Sequence, residues 1–383
     1  MFAREIVVVL SVLSAALCCV EYKDCESCAG SEHRVRFSMK SCEWCPLTLK
    51  CRTQGSVFAN HCDRDLSVGA ADLCGWIEEP RMKYDSQLAE ELAKWSSLAY
   101  VDPRKLNKSS IQSAVDAQFN NSYQLVEFLM ADCDWAGDEN YCKAVVAKSE
   151  SQNRIVVALE GTFSSYQSHG KDNRTYFTNM TTFSPTGGKI LLYRKAAHDS
   201  LYPCVKSLLK ELTTTMPTAE VMVTGHAFGG AQAQLMAAHM ITNDVASRRN
   251  VHIYTFGSPR VGDKGFAYSY DRMADNSWRV TRRNDFMALG GARDVFPFCF
   301  HTRREVYYDY PGVMNSTTDY KICDSNEGEE GCLEDRADME RGVIAGNLYR
   351  YFVPNISEYM KNFMKAGNNT ITKRRATCHT MPF

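Results

Sequence analysis

The run Val221-Met222-Val223-Thr224-Gly225-His226-Ala227-Phe228-Gly229-Gly230 carries the strongest chemical signal in the sequence. A β-branched apolar stretch passes into a helix-like stretch through a turn with a glycine two places on either side of residue 227. In a G-x-S-x-G elbow of this kind, a strained turn holds its central side chain out at the end of a sheet, where a serine hydroxyl can attack a carbonyl carbon. Here the centre is alanine. A methyl group has no lone pair to attack with, and no tuning of its surroundings supplies one. Thr224 and His226 project elsewhere from such a turn.

An elbow needs a strand and a helix to hold it. Residues 220–223 predict the strand and residues 231–241 the helix. Upstream, Leu88, Leu92, Trp95, Leu98 and Ala99 recur at helical spacing behind a cap at Asp85 or Ser86. Residues 144–147, 155–159, 190–193 and 251–256 are short apolar runs bounded by polar turns, and residues 201–212 form an amphipathic helix pattern. Strands alternating with helices imply crossover connections and a mostly parallel sheet. The expected fold class is α/β, with one large domain over residues 82–360, a linker at 78–81, and a basic, solvated tail over 361–383.

With the elbow in place, the chain resembles the class 3 lipases, fungal-type secreted α/β-hydrolases. The family's G-H-S-x-G-G appears as Gly225-His226-Ala227-Phe228-Gly229-Gly230. Its strand ending in R-G-T/S looks like Leu159-Glu160-Gly161-Thr162, and its F-G-x-P-R-V-G-D is Phe256 to Asp263. The acid-bearing strand and loop look like Arg279 to Asp285, and the next strand resembles Phe300 to Tyr308, with His301 on it. The resemblance implies that Asp285 is the acid of a triad, and that Thr162 and the N–H of Phe228 form the oxyanion hole. A short cystine loop follows at Cys323–Cys332, and Cys133–Cys142 is a second bridge expected between near neighbours in the chain.

The departures decide the function. The family's histidine stands in a D-H-x-x-Y-F-like segment, matched here by residues 344–352, so Asn347 or Leu348 takes the histidine's place. Neither side chain accepts and returns a proton near neutral pH. Losing one central triad member lowers kcat about a millionfold, and losing a second adds little. Glu160 replaces the family's arginine, either opposing negative charge in the site or facing solvent at a strand end. The segment 163–188, in the place of a lipid-sensing lid, is largely polar and lacks a helical apolar stripe. Its Tyr176, Phe177 and Phe183 either line a pocket or cover the local core.

Composition sets the wider frame. The chain has 383 residues, which predicts two or three domains of about 150 residues. Basic residues number 44 and acidic 45, so no cationic field is available to hold nucleic acid. An apolar run at residues 6–17 behind Arg4 reads as a signal peptide ending at residue 19, and no later run is long enough to span a membrane. Cysteine is abundant, at 16. Seven of these lie between Cys25 and Cys74, in a disulfide-rich module over residues 20–77. Its Cys42-Glu43-Trp44-Cys45 resembles the plexin–semaphorin–integrin type of module, in which a tryptophan packs on the cystines. Seven is odd, so Cys74 is expected to pair with the large domain. Sequons begin at Asn107, Asn120, Asn173, Asn179, Asn315, Asn355 and Asn368.

Taken together, the expectation is a secreted lipase-like pseudoenzyme that binds a lipid or ester-like small molecule and uses no metal or cofactor. Two other readings compete. One is an active triacylglycerol lipase or carboxylic-ester hydrolase; the other is an extracellular interaction protein that meets its partner through residues 20–77.

Overall fold

A computed structural model describes residues 19, 21–35, 38–45, 50–54, 67, 69, 74, 83–101, 106–133, 141–161, 179–283, 285, 287–288, 299–324, 331–333 and 351–352. The linker, Thr162, Asn347, Leu348, Tyr176, Phe177, Asn173, Asn355 and Asn368 lie outside the described residues.

The N-terminal module has one short helix, α1 (Cys25–Cys28), and three antiparallel strands in the order β1 (Glu32–Val35), β2 (Ser38–Cys45), β3 (Lys50–Thr53). Its core is Trp44 packed with Cys19, Cys28, Cys42 and Cys51. So small an apolar cluster is stabilised chiefly by cross-links, each contributing about 2–4 kcal/mol. Those cross-links correct one expectation. Cys19 pairs with Cys42. Cys74 pairs with Cys25 inside the module instead of with the large domain. Cys28 pairs with Cys51, and Cys45 is disulfide-bonded as well. Counting Cys19 makes the module's cysteines even, so the parity argument for an outward bridge falls away.

The large domain begins with α2 (Ser86–Leu98), capped by the Asp85 carboxylate on the N–H groups of Gln87 and Leu88. Then come α3 (Lys108–Gln118), β4 (Gln124–Asp132), β5 (Tyr141–Ser149), β6 (Arg154–Leu159), β7 (Met180–Thr182) and β8 (Lys189–Leu191). The chain continues through α4 (Leu192–Thr215), β9 (Glu220–His226), α5 (Phe228–Thr242), β10 (Val251–Phe256) and α6 (Lys264–Met273). Last come β11 (Asn276–Arg282), β12 (Glu305–Tyr308) and β13 (Lys321–Cys323).

Among the described residues eight strands make the central sheet, in the order β13-β12-β11-β10-β9-β6-β5-β4. Pairing is parallel from β6 through β9, β10 and β11 to β12, and antiparallel at the two ends. Helices cover both faces, so β9 reads as continuous apolar sequence rather than alternating. Val221 and Val223 join the core against α4, α5 and α6, whereas Met222 joins the core against α2 and α3. The fold is an α/β-hydrolase preceded by a disulfide-rich module. Bridges Cys133–Cys142 and Cys323–Cys332 form as expected.

Three local readings change. The run 190–193 divides between β8, which pairs with β7 outside the main sheet, and the first turn of α4. Only Phe300 of residues 300–304 makes a bridge, to Gly262, so His301 lies ahead of β12 and not on it. Phe183 is core, at 1% exposure.

Candidate functional site

The elbow persists without its nucleophile. Ala227 sits between β9 and α5 at φ 52° and ψ −121°, a conformation that costs a non-glycine residue about 1–3 kcal/mol. Its N–H donates to Phe256 O of the neighbouring strand (2.8 Å), and its own carbonyl accepts from Gly230 (3.0 Å). The turn closes because its flanking residues lack side chains. A Cβ on Gly225 would lie 2.2 Å from Gly229 O, and one on Gly229 would lie 2.2 Å from Leu159 O. Packing around the turn therefore fixes the strained residue, whatever its side chain. Phe228 opens α5, so its N–H belongs to the first turn, where a helix has no acceptor of its own. Its ring stacks on Tyr193, with centroids 5.6 Å apart.

Asp285 follows β11 and is fully buried. The Tyr351 hydroxyl donates to its Oδ2. The N–H groups of Met287 (2.9 Å) and Ala288 (3.4 Å) donate to Oδ1. Burial raises its pKa to about 6, opposed by those three donors and by the Arg282 charge. Among the described residues no imidazole bonds this carboxylate; a phenol does. Burial and the adjacent carboxylate in turn hold the Tyr351 hydroxyl protonated, well above its usual range. Tyr351→Phe is expected to destabilise the fold by about 1.5–3 kcal/mol at pH 7, where the bond is to a charged group. By urea unfolding, that loss should shrink at pH 5, where Asp285 carries its proton.

Among the described residues, Tyr100, His226 and Thr224 are bonded to one another or into the core. The Tyr100 hydroxyl meets His226 Nδ1 at 2.7 Å, with both side chains buried. Thr224 Oγ1 donates to Tyr254 O and lies 2.8 Å from Ser96 Oγ, inside the core against α2. His301 is buried, and desolvation with the Arg279, Arg260 and Arg194 charges holds its pKa well below 6.5. The Glu160 side chain does not face solvent. Its carboxylate pairs with Lys143 at 2.7 Å in a nearly buried contact. Lys143 also donates to the carbonyls of Tyr100 (3.3 Å) and Val101 (3.1 Å), tying the segment after α2 to the strand end. The sequence offered no sign of this pairing, because the partner lies on the adjacent antiparallel strand.

The site residues thus fall into two groups. The structure places Ala227 and Phe228 after the end of β9 and Asp285 after the end of β11, the two parallel strands that flank β10. Thr162, Asn347 and Leu348 are outside the described residues. Of the sequons, Asn107, Asn120, Asn179 and Asn315 are exposed.

Comparison with known proteins agrees with this geometry. Residues 156–289 match the family model Lipase (class 3), a span that includes the elbow and Asp285 but ends before residue 347. The chain is 28% identical over 229 residues to Lipase ZK262.3 of Caenorhabditis elegans, covering 53% of this chain and 61% of that protein. It is 28% identical over 191 residues to Secreted mono- and diacylglycerol lipase 1 of Fusarium solani, covering 47% and 52%. The chain therefore spans less than two thirds of either relative. The solved Lip2 lipase of Yarrowia lipolytica aligns at a TM-score of 0.57 with 19% identity, covering 70% of this chain and 93% of that one; at that identity the likeness is one of fold. Strand order, the glycine-lined elbow and the match over residues 156–289 agree: the hydrolase domain of this chain is similar to the class 3 lipases.

Proposed function

We propose that the protein is a secreted lipase-fold pseudoenzyme that binds a lipid or ester-like molecule without cleaving it. One observation carries the reading: the elbow is held in its strained geometry around a methyl group, while the buried acid is engaged by the Tyr351 phenol. A triad needs a hydroxyl, an imidazole and a carboxylate in hydrogen-bonded series. On this reading only the carboxylate of that series remains. Ala227, Asp285 and the Asn347/Leu348 slot are therefore read as the remains of that series, with Thr162 and Phe228 as its oxyanion donors. The lipid class is supported by the names of the relatives. Secretion is supported by the signal-like N-terminus, the density of disulfides and the secreted relative. Among the described residues no helix is long and apolar enough to cross a membrane.

The purified chain is expected to leave a short-chain nitrophenyl ester unhydrolysed above buffer background. It should also bind a fluorescent fatty acid saturably, as read by anisotropy. Turnover that disappears in Asp285→Asn would establish the active-hydrolase reading instead. Absence of both turnover and binding would shift the function to residues 20–77.

A further inference from the structure

We propose that a polar groove on the hydrolase domain is the seat of the protein's own N-linked glycan, attached at Asn120. The groove is a cavity of about 350 Å³ between α2, the α3–β4 turn and the loop at residues 315–318. That volume is near the lower end for small-molecule sites, about 300–1,000 Å³. Gln87, Glu90 and Lys94 line one wall, Asn120 and Ser122 the second, and Ser316 the third. Phe119 and Tyr123, packed edge to face at 5.6 Å, also line it.

This lining suits a sugar and not an acyl chain. Lipid sites are lined mainly by apolar side chains. Here carboxylate, amide, ammonium and hydroxyl groups supply the mixed donors and acceptors that ring hydroxyls require. Asn120 and Ser122 are the first and third residues of a sequon, and Asn120 stands exposed in a left-handed turn at φ 50°. Across the groove, Ser316 is the middle residue of a second sequon. It is fixed there by its N–H on Glu90 Oε2 (3.1 Å) and by Ser86 Oγ on its carbonyl (2.7 Å). Asn315 Oδ1 accepts from the Thr317 N–H (2.9 Å) and hydroxyl (2.7 Å), which leaves the amide nitrogen to react. Two sequons distant in the chain thus converge on one groove.

The attachment rests on the secretion reading, because its co-reactant, an oligosaccharide on a lipid pyrophosphate, belongs to the secretory route. Asn120 Nδ2 loses one proton and bonds to the sugar C1 as the C1–O bond breaks. The pyrophosphate leaves with the bonding electron pair.

The test uses the full chain secreted from a glycosylating host, with glycopeptide mass spectrometry at Asn107, Asn120, Asn179 and Asn315. Amide exchange is then compared with the Asn120→Gln and Ser122→Ala variants. The expected result is an occupied Asn120, and exchange in α2 and residues 315–318 faster by about threefold or more in both variants. A chain that stays in the cell overturns the secretion reading and this proposal with it, whereas a secreted chain bare at all four positions overturns this proposal alone. Occupancy at Asn107 or Asn179 with a bare Asn120 overturns the groove alone. An occupied Asn120 with unchanged exchange shows a glycan that stands in solvent and overturns the seat.

Discussion

Ala227→Ser alone is expected to leave ester hydrolysis indistinguishable from the unchanged protein. The substitution adds one hydroxyl to a residue already held at φ 52°, so the fold has no new strain to absorb. What it lacks is a base. Removal of either the serine or the histidine of a triad abolishes about as much rate as removal of both, roughly a millionfold. In this chain Asp285 is bonded by Tyr351, and His226 is engaged with Tyr100. The D-H-x-x-Y-F spacing, counted back from Tyr351, puts the histidine slot at Leu348 and the preceding acid at Asn347. Ala227→Ser with Leu348→His is therefore the informative pair, and Ala227→Ser with Asn347→His its control. A positioned general base contributes about 10²–10⁴-fold, and the Leu348→His pair should exceed the single variant by an amount in that range. Thermal melts of all variants should coincide, so that activity is read on equally folded protein. Strong turnover from Ala227→Ser alone would mean that an imidazole already present reaches residue 227, and the inert reading would fail.

The parts legible in the sequence were those set by local patterning. Residues 251–256 read as a strand and form one with those bounds, because β-branched and aromatic residues lie between clear turn signals. The elbow was legible because glycine spacing encodes a close backbone approach, here 2.2 Å for an added Cβ. Other features depended on distant partners. The apolar run 190–193 suits a buried strand or a buried helix equally, and only its neighbours divide it between β8 and α4. Cys19 abuts an apolar run and carries no local sign of a partner, and its bond to Cys42 follows from the module's fold. The Tyr351 hydroxyl, used in the sequence only as half of an aromatic marker, gains its role from a carboxylate 66 residues away. The ion pair Lys143–Glu160 likewise needed the β5–β6 pairing to become visible.

Lowering the pH from 7 to 5 is expected to weaken the fold, with His198 a principal cause. His198 of α4 and His239 of α5 hydrogen-bond ring to ring; Tyr202 stacks on both, at 5.2 and 4.4 Å. His198 has no exposed surface, and its Nδ1 has no partner among the described residues. Burial, then the His239 and Lys195 charges, hold its pKa well below 6.5, and His301 is shifted the same way. Each of these rings takes a proton near pH 6.5 when unfolded but not when native. Their stabilisation is thus complete above pH 6.5, and each loses about 1.4 kcal/mol per pH unit below it. Asp285 acts with the opposite sign. Its carboxyl, raised to about 6, binds a proton in the native state first, so it returns about 1.4 kcal/mol per unit as pH falls from 6 towards 4. Two buried rings outweigh one carboxyl, and His239 and His252, also lowered, add to the loss. Denaturant unfolding at half-unit steps should therefore show stability falling between pH 6.5 and 5. His198→Phe should flatten that slope by about 1.4 kcal/mol per unit, and Asp285→Asn should steepen it by a similar amount. A His198→Phe slope equal to that of the unchanged protein would remove the α4–α5 contact from the acid response, because no other group replaced in that variant titrates in this range.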